Sequence, residues 1–407
     1  MTIPGRRLIR LMIVLLLWLF SASCASAIKS EPLFGLQRVY RLAAVQVTWM
    51  PETDYAQLDR TFDLLRRAGV NTLIFRVFQN PGDRVYGFAR PKSDAGVYFK
   101  TNRAPLVDDV LKRVADIAHR RGLMIFAWMT TRQAGFDLEK IPQYRCRRYN
   151  FQRGAIEDAP GISIFHPEVR NHLLALYRDL ARYPIDGILL QDDLILRHNE
   201  DFSDAARAAY RKDTGRDLNP MRMYSGFSVD EKGRYRVTGY TREFWTWALW
   251  KARMIVRLAG DIGFAARREN HNLRVAMNLM YEAAAFPEKG LCWLSQSLPD
   301  AVSIGFDYYA IMAYHRQMER ELRKSPQEVR AIVSQMARSS TALVSRPAQI
   351  LMKLQTIAWK TGEPIPPHEL EMVSHAALSA GPVSLALVPY GDHLDPALIS
   401  TILEDLN

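Results

Sequence analysis

The chain has 407 residues, 48% of them apolar, and a formal net charge of +11. Apolar content of that size supports a sizeable buried core and excludes a disordered or low-complexity protein. Lys and Arg are scattered rather than run together, and no helix-turn-helix, zinc-finger or RNA-recognition pattern accompanies them, so nucleic acid is not an expected partner.

The N-terminus reads as an export signal. Arg6, Arg7 and Arg10 precede the unbroken apolar run Leu11–Phe20, and small residues follow to Ala27. That run is too short for a permanent membrane span. Two processing routes fit. Ala25-Ser26-Ala27 is a small-x-small site that would release residues 28–407 as a soluble periplasmic or secreted protein. Alternatively, Ser21-Ala22-Ser23-Cys24 could be a lipoprotein box whose lipidated Cys24 would attach the protein to the outer membrane. Ser21 stands where an aliphatic residue is usual, which favours soluble release.

Beyond the leader, strand-like apolar runs alternate with amphipathic helical patterns. The first strand is expected at 41–50, followed by a helix from Asp54 to Ala68 with Leu58, Phe62 and Leu65 on one face. A strand at 71–78 and a helix from Pro105 to Arg121 follow, then a strand at 123–130. A long connection (131–166) holds Arg132, Asp137 and the cluster Arg145, Arg147, Arg148 and Arg153, placed in a loop. The helix Pro167–Arg182 leads to the run Ile185-Asp186-Gly187-Ile188-Leu189-Leu190-Gln191-Asp192-Asp193, expected as a strand over 186–193. A second long connection (194–240) contains a glycine-bearing polar turn region around Ser225–Gly239. Strands at 273–280, 308–314, 348–356 and 383–390 complete the set. Helices are placed at about 241–268, 325–341, 366–380 and 394–404, with a shorter one near 292–298. Eight β-then-α units with apolar strands predict an α/β protein, a single-domain (β/α)8 barrel with long loops after strands 3 and 4.

An ordered set of short motifs then resembles a known family. Gly69-Val70-Asn71-Thr72 opens the second strand. Tyr98-Phe99 and Asn102-Arg103 precede Pro105, and Ala127-Trp128-Met129 lies in the third. Pro167-Glu168-Val169-Arg170, Leu180-Ala181-Arg182 and Asp186-Gly187-Ile188-Leu189 lead into Asp192-Asp193. Asn278, Ala310-Ile311-Met312-Ala313, Leu354-Gln355 and Trp359 continue the series. Together they resemble the C-terminal glycoside hydrolase domain of periplasmic poly-β-1,6-N-acetylglucosamine N-deacetylases of bacterial biofilm systems. Full-length members carry a metal-dependent deacetylase domain ahead of this barrel. Only residues 28–40 separate the leader from the first strand, with no Asp/His/His metal set, so deacetylation is not expected. The family leans acidic at the end of the first strand and near the seventh, where Gln46, Thr48, Trp49 and Lys353 stand instead.

The chemistry is expected at the C-terminal strand ends, where active sites of such barrels form. Cleavage of a glycosidic bond needs a proton donor and usually a second carboxylate. Asp192 and Asp193 would occupy opposite faces of a strand, so one acts as acid/base while the other hydrogen-bonds a neighbouring strand end. Asp192, on the side of Leu190 and Ile188, is favoured as the acid and Asp193 as its support, although Asp192 as a helix N-cap is the structural alternative. Glu282 or Asp392 could be the second carboxylate; each fits loop solvation too. Asn278 and Gln355 have amides suited to sugar hydroxyls or an acetamido group, or to closing a loop. Trp49, Trp128, Tyr281, Tyr314, Trp359 and Tyr390 could stack on sugar rings or serve as core. Cys146 and Cys292, both placed in loops, could pair or remain buried thiols. No metal-ligand spacing and no phosphate loop is present, so no cofactor is expected.

Two functions fit. One is an exported, monomeric, endo-acting glycoside hydrolase for a β-linked amino-sugar exopolysaccharide, poly-N-acetylglucosamine-like and partly deacetylated. The other is a catalytically silent barrel that binds the glycan and assists its export, motivated by Gln46 and Lys353. A cationic protein is no obvious partner for a deacetylated, cationic glycan, so a neutral or anionic glycan is a further variant.

Overall fold

In the computed structural model, which describes residues 38–406, eight parallel strands close into a barrel. They are β1 (Ala43–Val47), β2 (Thr72–Arg76), β3 (Met124–Met129), β4 (Gly187–Leu190), β5 (Arg274–Met280), β6 (Tyr308–Ala313), β7 (Ile350–Gln355) and β8 (Ser384–Tyr390). Each pairs with its sequence neighbours, and β8 closes on β1 with Ala44 opposite Ala386. The proposed export signal, its cleavage after Ala27 and lipidation at Cys24 lie outside the described residues.

The strands start where they do for a shared reason. A polar side chain just before or at the head of a strand accepts a first N–H of a neighbouring strand, which would otherwise be left unpaired. Asn71 accepts from Ala43 (3.0 Å), Asp186 from Ile125 (2.8 Å), Asp307 from Val275 (2.7 Å) and Ser384 Oγ from Leu42 (2.8 Å). Asp186 also pairs with His119, and the buried Asp307 with Arg267. These carboxylates belong to the closed end of the barrel and hold its register.

Side chains of alternate strand residues fill the interior: Ala44, Ile74, Phe126, Leu189, Ala276, Tyr308, Ala310, Leu351 and Ala386. Gly187 makes room for the Phe126 ring, because a Cβ there would lie 2.4 Å from it. At the bottom, Tyr40 exchanges backbone hydrogen bonds with the Tyr308 hydroxyl (3.0 and 2.9 Å), and the Arg274 guanidinium packs 4.8 Å over the Tyr40 ring. The residues before β1 therefore plug the N-terminal end. The complementary faces of the strands pack against the helices in a second, larger core that includes Leu58, Phe62, Val114, Leu173, Ile188, Leu190 and Ile311.

The helix starts follow capping chemistry. Asp54 caps Tyr55–Arg67 by accepting from Ala56 and Gln57, and Ser325 with Glu328 forms a capping box ahead of Pro326–Thr341. Helices Pro167–Ala181, Arg242–Glu269, Pro367–Leu378 and Pro396–Leu403 stand within two residues of their expected bounds.

Other segments differ from expectation. The second barrel helix begins at Leu111 rather than Pro105, because Val107 is held in the loop by backbone bonds with Val97 and Lys92. The short helix near 292–298 is two helices, Pro287–Leu294 and Leu298–Ile304, separated at Ser295, whose φ is positive. Helices Asp204–Thr214 and His315–Leu322 lie in stretches read as connections. Both long connections carry antiparallel ribbons, 145–150 with 155–162 and 224–229 with 235–240. The arginine cluster belongs to the first ribbon. Arg145 and Arg147 pair with Asp158, while Arg148 and Arg153 pair with Glu157, so two carboxylates offset half of its charge in place. Cys146 lies on that ribbon and Cys292 on a helix; both are buried free thiols.

Candidate active site

The interior alternation of the strands ends at the C-terminal mouth in polar side chains. Continuing from Ala44, Ile74, Phe126, Leu189 and Ala276, the next inward positions are Gln46, Arg76, Trp128, Gln191 and Asn278. Each carries one buried polar atom with no hydrogen-bond partner among the described residues: Gln46 Oε1, Arg76 Nε, Trp128 Nε1, Gln191 Oε1 and Asn278 Nδ2. Buried polar groups are nearly always paired in folded proteins. Five such atoms gather on five consecutive strand ends at the mouth.

On the far side of the mouth, Lys353 of β7 is only 2% exposed and donates to Asn278 Oδ1 (2.8 Å). It reaches across β6, where Asn278 is in register with the small Ala310 and Lys353 with Met312. Burial pushes its ammonium pKa down to about 8, and the charge of Asp192 acts in the opposite sense. Tyr314, just past β6, is also enclosed. Burial raises its hydroxyl pKa well above the usual value, and Asp192 adds to the rise. The Lys353 Nζ lies 6.0 Å from the Tyr314 ring, which meets Trp359 edge-on at 5.2 Å. Trp359 is 38% exposed. The structure thus brings Asp192, Asn278, Lys353, Tyr314 and Trp359 to one rim of the mouth.

The two aspartates are not strand residues. β4 stops at Leu190, and Asp192 and Asp193 stand in the turn beyond it. On a continued strand Asp192 would have followed Ile188 and Leu190 toward the helices; the turn instead lets its charge reach Lys353 and Tyr314. No hydrogen bond to the Asp192 carboxylate occurs among the described residues. Nor is it a helix cap: the next helix, Asp204–Thr214, is capped by Ser203.

Asp193 turns the other way, into the end of β3. Its carboxylate accepts from Thr130 Oγ1 (2.8 Å), Thr131 N (3.0 Å), Thr131 Oγ1 (2.7 Å) and Gln133 N (2.8 Å). Burial nevertheless holds its carboxyl above the usual carboxylate range, against the pull of these donors. A second tie joins the same loops, where buried Arg132 pairs with Glu200 (3.3 Å) and donates to the carbonyls of Ile195 and Pro160 (3.1 Å for the latter).

Beside the mouth, a cleft of about 750 Å³ runs under the 224–240 ribbon, lined by Tyr235, Tyr240, Tyr281, Glu282, Lys289 and Trp293 among others. Glu282 is not a solvated loop residue. It lies on the short helix Tyr281–Ala285, 7% exposed, with Oε2 unpartnered. Burial raises its pKa, and the neighbouring Glu321 adds to the rise. Asp392 is exposed. Trp49, 44% exposed, lines a separate groove of about 640 Å³ with Arg84, Tyr86 and Lys92. Tyr390 is half-buried at the end of β8, its hydroxyl pKa pushed up to about 12 by burial. The Gln355 amide is already engaged, accepting from Gln317 N and donating to Ile357 O. Trp128 packs edge-on against Phe78 (5.6 Å) and lies 5.9 Å from the Arg76 guanidinium. No group of three or more His, Cys, Asp or Glu side chains placed to hold a metal ion occurs among the described residues.

Gln191, Arg76 and the two threonine hydroxyls escape the sequence reading. Counting inward positions from Leu189 and Ile74 would have found Gln191 and Arg76. The threonines become visible only once β3 and β4 are known to be adjacent.

Comparison with known proteins places these features in context. The model of a family described as hypothetical glycosyl hydrolase family 13 matches residues 45–387. The poly-β-1,6-N-acetyl-D-glucosamine N-deacetylase of Escherichia coli (strain K12) is 25% identical over 282 residues, covering 67% of this chain and 38% of that protein. The match thus spans well under half the length of that relative. The PgaB (BpsB) glycoside hydrolase domain from Bordetella bronchiseptica superposes with a TM-score of 0.65 at 21% identity, over 91% of this chain and 99% of that one. A β-galactosidase from Bacillus circulans sp. alkalophilus gives a TM-score of 0.61 at 11% identity, over 91% and 56%. At these identities the two structures speak for the barrel fold.

Proposed function

The chain belongs to hypothetical glycosyl hydrolase family 13, and from that premise we propose that it hydrolyses a β-linked amino-sugar exopolysaccharide, acting within the polymer after export from the cytoplasm. The name of the deacetylase relative suggests the polymer, a partly deacetylated poly-β-1,6-N-acetylglucosamine. The observation that carries the reading is the row of unpartnered polar atoms on five consecutive strand ends, at the same mouth as an Asp192 carboxylate that accepts no hydrogen bond from the described residues.

In this reading Asp192 faces the scissile bond, and Asp193 holds the turn so that Asp192 projects over the mouth. Asn278, Trp128 and Gln191 bind ring hydroxyls or the acetamido group, and Trp359 with Tyr314 offers an apolar face for a sugar ring. Glu282, kept above the ordinary carboxylate range by burial, is suited to hold a proton and is the candidate second carboxylate. The cleft beyond it would accommodate further rings of the chain.

The test is to incubate the purified protein with the polymer and follow oligosaccharide release by mass spectrometry. Release that is lost in Asp192→Asn supports the proposal; no release, or equal release by the variant, ends it. A second reading, a silent glycan-binding barrel, is favoured by Lys353 and Gln46 standing where the family resemblance implies acidic residues. It predicts affinity without cleavage.

A further inference from the structure

The 224–240 ribbon carries an apolar face that the fold leaves uncovered. Tyr235 stands opposite Val229 and Val237 opposite Phe227, and strand alternation puts these four side chains on one face, with Ser228 and Arg236 on the other. Phe227 and Tyr235 are each 47% exposed, and Val229 and Met221 are more exposed still. Clustered exposed apolar side chains mark a binding surface, where single scattered ones do not.

These side chains wall a hollow. A cavity of about 200 Å³ is bounded by the rings of Tyr149, Phe151, Tyr224, Phe227 and Tyr235 and by Met221. The Phe151 ring lies 4.8 Å from Tyr224 and 5.4 Å from Phe227, and the Tyr149 hydroxyl donates to the Met221 sulfur (3.0 Å). Phe151 and Tyr235 also line the 750 Å³ cleft beside the barrel mouth, so the hollow and the cleft share that wall. Trp293, in the same cleft, is exposed as well. Exposed rings thus lead from Trp293 past Tyr235 to Phe227.

No charged side chain among the described residues lines the hollow. At the ribbon turn Asp230 pairs with both Arg234 and Arg236, so the ribbon presents no field of a single sign to an anionic lipid surface. The concave, uncharged, aromatic lining suits a sugar ring instead. A β-linked ring of the gluco configuration holds its substituents equatorially, so each of its faces is a C–H surface that packs on flat side chains. We propose that the hollow is a distal subsite that stacks such a ring of the polymer on Phe227, away from the ring over Asp192 and without regard to its acetylation. This rests on the hydrolase reading and adds the course of the polymer beyond the cleft.

The test is steady-state cleavage of the polymer by the wild type and by Phe227→Ala, Phe227→Leu and Phe227→Tyr. One aromatic stack corresponds to roughly threefold to tenfold in affinity. Phe227→Ala should raise KM for the polymer by that factor at constant kcat, because a ring remote from the cleaved bond is held equally in the ground and transition states. Phe227→Tyr keeps a flat ring and should restore the wild-type KM; Phe227→Leu is apolar but not flat and should behave as the alanine variant does. An unchanged KM in Phe227→Ala, a Phe227→Leu variant equal to the wild type, or a loss in kcat shared by all three variants overturns the inference while leaving the hydrolase reading intact. So does binding to phosphatidylglycerol vesicles that Phe227→Ala abolishes while the sugar kinetics stay unchanged. If the wild type does not cleave the polymer, the hydrolase reading falls, and electrophoresis through gels cast with the polymer decides the subsite. Retardation of the wild type and of Phe227→Tyr, but not of Phe227→Ala, upholds it; equal migration of all three overturns it.

Discussion

The Asp193 clasp gives the sharpest stability prediction. Four donors from the end of β3 converge on this one carboxylate. Each such bond contributes about 0.5–1.5 kcal/mol net of desolvation, so Asp193→Ala should lose about 3 kcal/mol by urea denaturation. Asp193→Asn keeps one oxygen, and the Thr131 hydroxyl can rotate to accept from the new amide, so it should lose about 1 kcal/mol. The pH dependence has a definite sign. Burial raises the folded-state pKa above that of the unfolded chain, so the folded state holds its proton longer. The contribution of this group to stability is full below about pH 4 and declines as pH rises through the raised value. Asn has no such titration. The advantage of wild type over Asp193→Asn should therefore shrink between pH 4 and pH 7. An advantage that grows over that range would refute the reasoning, because the hydrogen bonds would then outweigh burial and hold the carboxyl low.

Other predictions use different parts of the molecule. Asp192→Asn should lower hydrolysis at least about 100-fold, as loss of a general acid or base does, with less than about 0.5 kcal/mol change in stability; a fully active variant would remove Asp192 from the mechanism. Lys353, with a folded pKa of about 8 against an unfolded value near 10.5, makes the wild type gain stability relative to Lys353→Met as pH rises from 8 to 10; parallel curves in urea titrations would contradict its burial as a cation. Gly187→Ala places a methyl against the Phe126 ring and should cost about 1–3 kcal/mol, with Phe126→Leu restoring part of the loss in the double variant. Arg267→Met removes the cation paired with the fully buried Asp307 and should cost about 3–5 kcal/mol, measurable by thermal or urea unfolding.

All eight barrel strands are legible in the sequence because each is an apolar run of strand length, buried on both faces, and most begin near a turn residue. The same reading fails where tertiary contacts decide. Arg145–Asn150 and Tyr224–Val229 are too polar to announce themselves as strands, yet their ribbons form because cross-strand ion pairs and aromatic packing favour them. The end of β4 shows the limit at the site. Gln191-Asp192-Asp193 continues an apolar run without any Gly or Pro to stop it, and strand alternation then assigns the wrong geometry. What ends the strand is the pull of four donors just past β3, about 60 residues away in sequence. Lys353 stood out by its charge in an apolar run, but its contact with Asn278 requires knowing that the two strands flank β6.

The paired ties between the loops after β3 and β4, one through Asp193 and one through Arg132 and Glu200, bear on how this barrel can be altered. Barrel enzymes are commonly diversified by exchanging one loop at a time over a constant scaffold. Here residues 131–166 and 191–203 share their polar anchors, so a transplanted loop would arrive with half of each anchor and leave the other half stranded in the host. The unit of exchange is the pair, and a chimera that moves both together should fold where either single graft does not.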